Sequence, residues 1–263
     1  EIDFKPAAFN LSNVLARRPE EYHQKIIDAL SGKKADEGEI LSIHDRVRFK
    51  DENLDKKLVF DRYPRRSFLD HFYSKMPGVE DMRAEKATDI SGLTEARYET
   101  VSAKEGKNQA TLVFAARGTV GANEKKVKVQ KKFKVSSKKP EVRCEYILEK
   151  LGGGKLDFVF GVEWNFTLLA EDSPDRYITL DGKKYAMNSV GEDSGVDKWS
   201  ITDEWFRFGA AFKSSNPVTL LHFPVETVSQ SEDGFQSNYQ GTAFIALQRF
   251  RFPPKESSKP YSA

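Results

Sequence analysis

From Leu156 to Leu168 every second residue is large and apolar: Leu156, Phe158, Phe160, Val162, Trp164, Phe166 and Leu168 share one parity. A period of two places alternate side chains on opposite faces of a strand, so this run reads as one strand with an unbroken apolar face. Natural strands average about 5–6 residues. A face this long therefore needs a large sheet to cover it. The opposite parity carries Asp157, Glu163, Asn165 and Thr167, so the same strand holds a row of polar groups on its other side.

Other segments repeat the pattern. Lys125–Val135 aligns Val127, Val129, Phe133 and Val135 against Lys126, Lys128, Lys132 and Lys134, a lysine face that suits a solvated or edge strand. Glu141–Leu148 aligns Val142, Cys144, Tyr146 and Leu148. Gly152-Gly153-Gly154 follows, but a strand rather than a helix N-terminus comes next, so a flexible hairpin is expected and not a phosphate loop. Residues 170–200 read as loop, interrupted by Tyr177–Leu180 and Lys184–Met187, with Asp181–Lys184 as a hairpin turn. Strands resume at Trp205–Phe212, Val218–Val228 and Tyr239–Phe252.

The N-terminal part differs. Ile2 and Phe4 alternate and Pro6 ends that run. Asn10 or Ser12 can cap a helix, Pro19 suits a first turn, and Glu20 and Glu21 favour its positive end. Tyr22, Ile26 and Leu30 recur every four residues before the stop signal Gly32, with His23 off that stripe as a surface or boundary residue. From about residue 40 the period returns to two, through LSIHDRVRF, KLVFDRY and SFLDHFY. The fold class is mainly β: a large antiparallel β-sandwich with a short helical insert near the N-terminus. One domain is expected over 1–252, with the insert at about 10–31 and a flexible tail at 253–263.

Composition removes whole classes of function. The 42 basic and 40 acidic residues nearly cancel, which gives no electrostatic case for nucleic acid or an anionic membrane. The single cysteine, Cys144, excludes an intramolecular disulfide and cysteine-rich zinc motifs, and reads as a core residue. No apolar run approaches the ~18 residues of a membrane helix, and no signal peptide opens the sequence, so a cytoplasmic location is expected. No cofactor or metal is implied. Glu192–Asp197 (EDSGVD) gathers carboxylates without the spacing of a calcium loop.

The densest cluster of reactive side chains is Ser42–Phe72, with Asp45-Arg46, Asp61-Arg62, His44-Asp45 and Asp70-His71. Strand neighbours point to opposite faces, so neither His–Asp pair forms a direct dyad and a structural histidine is the plainer reading. Glu163, Trp164 and Asn165 form a second candidate. With Trp164 inward, the other two share a face where they can pair, either to hold a sugar or to meet water or another domain. Asn238-Tyr239-Gln240-Gly241 combines a ring, two amides and a glycine, and turn-to-strand chemistry explains it equally well.

Taken in order, EIDFKPAAFNLSNVLARRPEEYH, SIHDRV, LVFDRYPRRSFLDHF, FGVEWNFTLLA and NYQGTAF resemble the C-terminal region of glycoside hydrolase family 57, the 4-α-glucanotransferases and related α-amylases. The resemblance runs from residue 1 to about 250. It implies a galactose-mutarotase-like supersandwich, its own first strands expected before Glu1, behind a distorted (β/α) barrel. In that family the catalytic Glu and Asp belong to the barrel, so no catalytic residue is carried onto this chain. The implied partners are that N-terminal barrel and an α-1,4-gluco-oligosaccharide, with a homo-oligomer left open. Asp61, Arg62, Asp70 and His71 would form an interface or groove-side network; Glu163, Trp164, Asn165, Tyr239 and Gln240 complete the carbohydrate or interface candidates. Two alternatives remain: a stand-alone carbohydrate-binding module, and a mutarotase-like enzyme using His44, His71, His222 or Glu163.

Overall fold

The computed structural model describes residues 15–30, 54–168, 170–231, 234–254 and 261–262. The expected strand at Ile2–Phe4, the Asn10 or Ser12 cap, the Gly32 stop and the strand through His44 and Asp45 lie outside these residues. In chain order the elements are α1 (Glu21–Leu30), α2 (Leu54–Lys57), β1 (Leu69–Tyr73), α3 (Val79–Arg83), β2 (Glu99–Glu105), β3 (Gln109–Val120), β4 (Lys125–Ser136) and β5 (Val142–Lys150). They continue with β6 (Leu156–Phe166), β7 (Arg176–Leu180), β8 (Lys183–Ala186), β9 (Gly191–Asp203), β10 (Phe208–Ser231), β11 (Gly234–Phe252) and β12 (Tyr261–Ser262).

The strands form two antiparallel sheets, the sandwich architecture expected from the alternation. The larger runs β1-β6-β11-β10-β9-β7-β8 and the smaller β12-β5-β4-β3-β2. The apolar parity of β6 supplies Phe158, Phe160 and Val162 to the core between them, against Val127 and Val129 of β4 and Tyr146 and Leu148 of β5. Each such side chain contributes ~1.5–3 kcal/mol when fully buried. Trp164 packs on this same side, between Phe68, Trp199 and Phe212. The outer face of the large sheet is covered too: Met82 of α3 and Leu15 pack on Val159, Leu221, Phe223 and Ile245. Ile26 of α1 and Leu54 join Val228 and Phe235 farther along β10 and β11. The long strand thus has both faces buried, and a polar group on its outer face must find partners inside the protein.

Four local expectations are corrected. The Gly152–Gly154 turn carries the chain from one sheet to the other instead of closing a hairpin, because β5 and β6 belong to different sheets. Of the two readings of the lysine-faced β4, the edge strand is overturned because it lies between β3 and β5, while Lys126, Lys128, Lys132 and Lys134 stay exposed or half-buried. EDSGVD is part of β9 and not a loop, and register shifts opposite Val218 place Gly195 (φ 79) there at an irregularity. His23 is buried, its Nε2 2.9 Å from the Val228 carbonyl and its Nδ1 accepting from the Glu20 amide. The Asp181–Gly182 turn joins β7 and β8 as expected, both residues taking the positive φ that a type I′ turn requires (48° and 75°).

Gly191 on β9 lies opposite His222 on β10, and a β-carbon there would fall 2.1 Å from the buried imidazole. Gly191→Ala is expected to cost about 1–3 kcal/mol by overpacking. Urea unfolding checks it, and an unchanged midpoint would show that the ring moves freely.

Candidate functional site

Strand β1 pairs with β6 so that Leu69 faces Glu163, Asp70 faces Val162 and His71 faces Gly161. Alternation then sends Asp70 inward, toward the small sheet, and His71 outward, onto the face that carries Glu163. Two separate polar clusters result, one on each side of the same short strand.

The outer cluster is built on Arg65, which is fully buried. Its guanidinium donates to Asp61 Oδ1 at 2.8 Å, to Glu163 Oε1 at 2.9 Å and to Glu85 Oε1 at 2.5 Å. Asp61 also receives the Arg17 amide, Nε and Nη2, the last at 2.6 Å. Glu163 accepts four bonds: Arg65 and Asn165 Nδ2 at Oε1, Tyr63 OH and His71 Nε2 at Oε2, the last three at 2.8 Å each. A carboxylate has about four lone-pair sites, so Glu163 is saturated. His71 is held on its other side by Asp89, whose Oδ2 lies 3.6 Å from Nδ1.

Burial alone would raise Glu163 and lower His71, but their partners reverse both effects. Arg65 and His71 hold Glu163 down at about 2, while Asp89 and Glu163 lift His71 to about 9. For Asp61, too, burial is outweighed, by Arg17 and Arg65, and its pKa is lowered. At neutral pH the cluster is an array of paired charges and contains no free base. A raised histidine contributes stability that is full below its unfolded value near 6.5 and is lost as pH rises through about 9. A depressed glutamate contributes stability present above about 4.5 and lost as pH falls through about 2. Melting temperature should therefore plateau between about pH 5 and 6.5 and fall on both sides. His71→Gln should flatten the alkaline limb, and an unchanged limb would remove His71 from it.

The inner cluster joins Asp70 to Lys131 Nζ at 2.9 Å and to the Tyr98 hydroxyl. Lys131 also donates to the Phe68 carbonyl at 2.6 Å and lies 4.3 Å from the Tyr98 ring centre. Burial raises the Asp70 pKa even though Lys131 and Tyr98 oppose it.

The sequence candidates are divided accordingly. Asp61, His71, Glu163 and Asn165 meet in the outer cluster, and Asp70 lies across the sheet from them. Arg62 is exposed and donates to the Glu85 carbonyl at 2.7 Å. Trp164 is a core residue between the sheets. Tyr239 bonds Thr242 Oγ1 at 2.6 Å, and Gln240 sits at a bulge in mid-strand, bonding Thr227 Oγ1 at 3.0 Å. His222 lies in the row Trp164–Phe244–His222, on the opposite face from Glu163, and burial lowers its pKa. His44 lies outside the described residues. Arg65, Arg17, Tyr63, Glu85, Asp89 and Tyr98 carry no local sequence signal, and Lys131, which with Lys132 reads from the sequence as part of a solvated strand face, is instead buried against Asp70. Lys131 had a visible signal, since it occupies the apolar parity of β4.

Residues 1–259 match the family model "Alpha-amylase/4-alpha-glucanotransferase, C-terminal". The chain belongs to that family. Alpha-amylase 1 of Dictyoglomus thermophilum is 30% identical over 256 residues, covering 96% of this chain and 35% of that protein. The 4-alpha-glucanotransferase of Thermococcus litoralis is 25% identical over 249 residues, covering 94% and 34%. The crystal structure of a 4-alpha-glucanotransferase from the same organism shares the fold, with a TM-score of 0.67 at 21% identity over 97% of this chain and 31% of that one. The chain spans about a third of the length of these relatives. Among the described residues no helix is long and apolar enough to cross a membrane.

Proposed function

We propose that this chain is the non-catalytic C-terminal β-sandwich of a family 57 enzyme acting on α-1,4-glucans, as 4-α-glucanotransferase or α-amylase. It would support an N-terminal catalytic barrel and contact oligosaccharide bound there. The observation that carries this reading is a family match over nearly the whole chain that accounts for only a third of longer enzymes. The chemistry of the outer cluster agrees with it. Glu163 is saturated and held ionised, and His71 is held protonated, so neither acts as a base near neutral pH. That also weighs against the mutarotase-like alternative, because His222 stands on the other face of the sheet. The network instead fixes the 58–68 segment and the 85–89 segment to the sheet, a rigid support for a neighbouring domain.

The reading carries a cytoplasmic location with it and is compatible with a homo-oligomer. It is tested by incubating the full-length protein and this chain alone with maltoheptaose and separating the products. Only the full-length protein is expected to rearrange or shorten the glucan. Turnover by this chain alone would overturn the reading, as would an upstream reading frame without a barrel.

A further inference from the structure

A cleft of ≈450 Å³ opens where the edge of the large sheet meets the small one, between residues 63–70, 93–98 and strands β3 and β4. That volume falls in the range of about 300–1,000 Å³ typical of small-molecule sites. Its walls are aromatic, with Phe68, Phe114, Phe133 and Tyr98 among the lining residues. Phe68 packs edge-on against Phe133 at 5.0 Å between ring centres and holds a positive φ of 62°, which is uncommon for a side chain of this size. Backbone strain of this kind persists only where the surroundings impose it, and it concentrates at functional sites.

The polar groups at this cleft are incompletely used. Asp70 is 1% exposed and bonds Lys131 and Tyr98 through Oδ2 alone, and its Oδ1 has no partner among the described residues. Ser67 Oγ, from another lining residue, is buried and also lacks one. Buried polar atoms in folded proteins nearly always have partners, so two orphans beside one cleft call for a ligand or water that supplies them. A carboxylate oxygen accepts, so that ligand must donate. Arg66, Arg97 and Glu95 also line the cleft, so its charges nearly balance, and the Lys131 ammonium is already committed to Asp70 and the Phe68 carbonyl. What remains is a neutral molecule with hydroxyl donors at its edge and a flat apolar face for the rings.

We propose that this cleft is a second carbohydrate site, taking a glucosyl unit of an α-linked glucan against the aromatic wall with its hydroxyls directed at Asp70 and Ser67. The neutral polyol chemistry comes from the cleft itself; the choice of glucose rests on the α-glucan reading above. The site is distinct from Glu163 and Asn165, which lie on the other face of the large sheet.

Hydrogen–deuterium exchange on the full-length protein, with and without maltose, tests it. Maltose should protect peptides covering 63–70, 93–98 and 131–133. Ser67→Ala leaves no group unpaired and should melt with the wild type, yet require about 3–10-fold more maltose for the same protection. Phe114→Ala, which strips part of the wall, should weaken protection by a similar factor. Protection confined to other peptides of this chain would overturn the cleft while leaving the carbohydrate-contact reading in place. Protection nowhere in the chain would overturn both. If the cleft peptides are already fully protected without sugar, another part of the polypeptide covers them and the proposal fails.

Discussion

Arg65→Met is expected to lower folding stability by about 3–5 kcal/mol, a large share of the roughly 5–15 kcal/mol that holds a typical domain together. Methionine roughly keeps the length of the side chain, but it abandons Asp61, Glu85 and Glu163, all within 2.5–2.9 Å of the guanidinium. The carboxylates of Asp61 and Glu163 are fully buried and that of Glu85 is 11% exposed, so water cannot replace the lost donors without opening the fold. The cost arises from stranding buried charge, which differs from saying that the intact pair adds that much. Adding Glu163→Gln to Arg65→Met should therefore cost less than the sum of the single changes, with a coupling of about 1–3 kcal/mol. Urea unfolding of the four proteins measures it. Additive effects would mean that Arg65 and Glu163 act independently despite their contact.

How much of this could be read in advance varies with the distance over which each feature is fixed. The β6 face was legible because its signal is local: seven apolar residues in one parity specify a strand and the side that meets a partner sheet. The separation of Asp70 from His71 was legible for the same reason. The Glu163–Asn165 pair follows from a spacing of two, and the structure closes it at 2.8 Å. Arg65 was not legible. Between Pro64 and Arg66 nothing local marks it for burial, and two of its carboxylates come from positions 20 and 98 residues away. The hairpin expected at Gly152–Gly154 failed because glycines mark a turn without telling which sheet the next strand joins. Trp205, expected in a strand, stands in the turn after β9, 74% exposed, where the buried Asp203 carboxylate accepts the Phe206 amide at 2.8 Å.

Lys131 shows that a broken pattern can be the most informative position in a strand. Val127, Val129 and Phe133 define the buried face of β4, and Lys131 sits among them, 8% exposed, because Asp70 from the other sheet meets it there. Lys131→Met satisfies the apolar pattern better and should still destabilise by about 3–5 kcal/mol near neutral pH. It leaves the Asp70 carboxylate buried with Tyr98 as its remaining donor, and it leaves the Phe68 carbonyl without the 2.6 Å bond from the ammonium. The sign of the pH dependence identifies the cause. Burial already raises the Asp70 pKa in the folded state, and removing the nearby cation raises it further. A carboxyl whose folded pKa lies above its unfolded value is penalised above the folded pKa, and the penalty fades as pH falls toward about 4. The stability gap between Lys131→Met and wild type should therefore narrow on acidification. Asp70→Asn in the same background should remove most of it at pH 7, since a neutral amide has no charge to strand. A gap that stays constant with pH would assign the loss to packing around Phe68 and Tyr98 instead of to the unpaired charge.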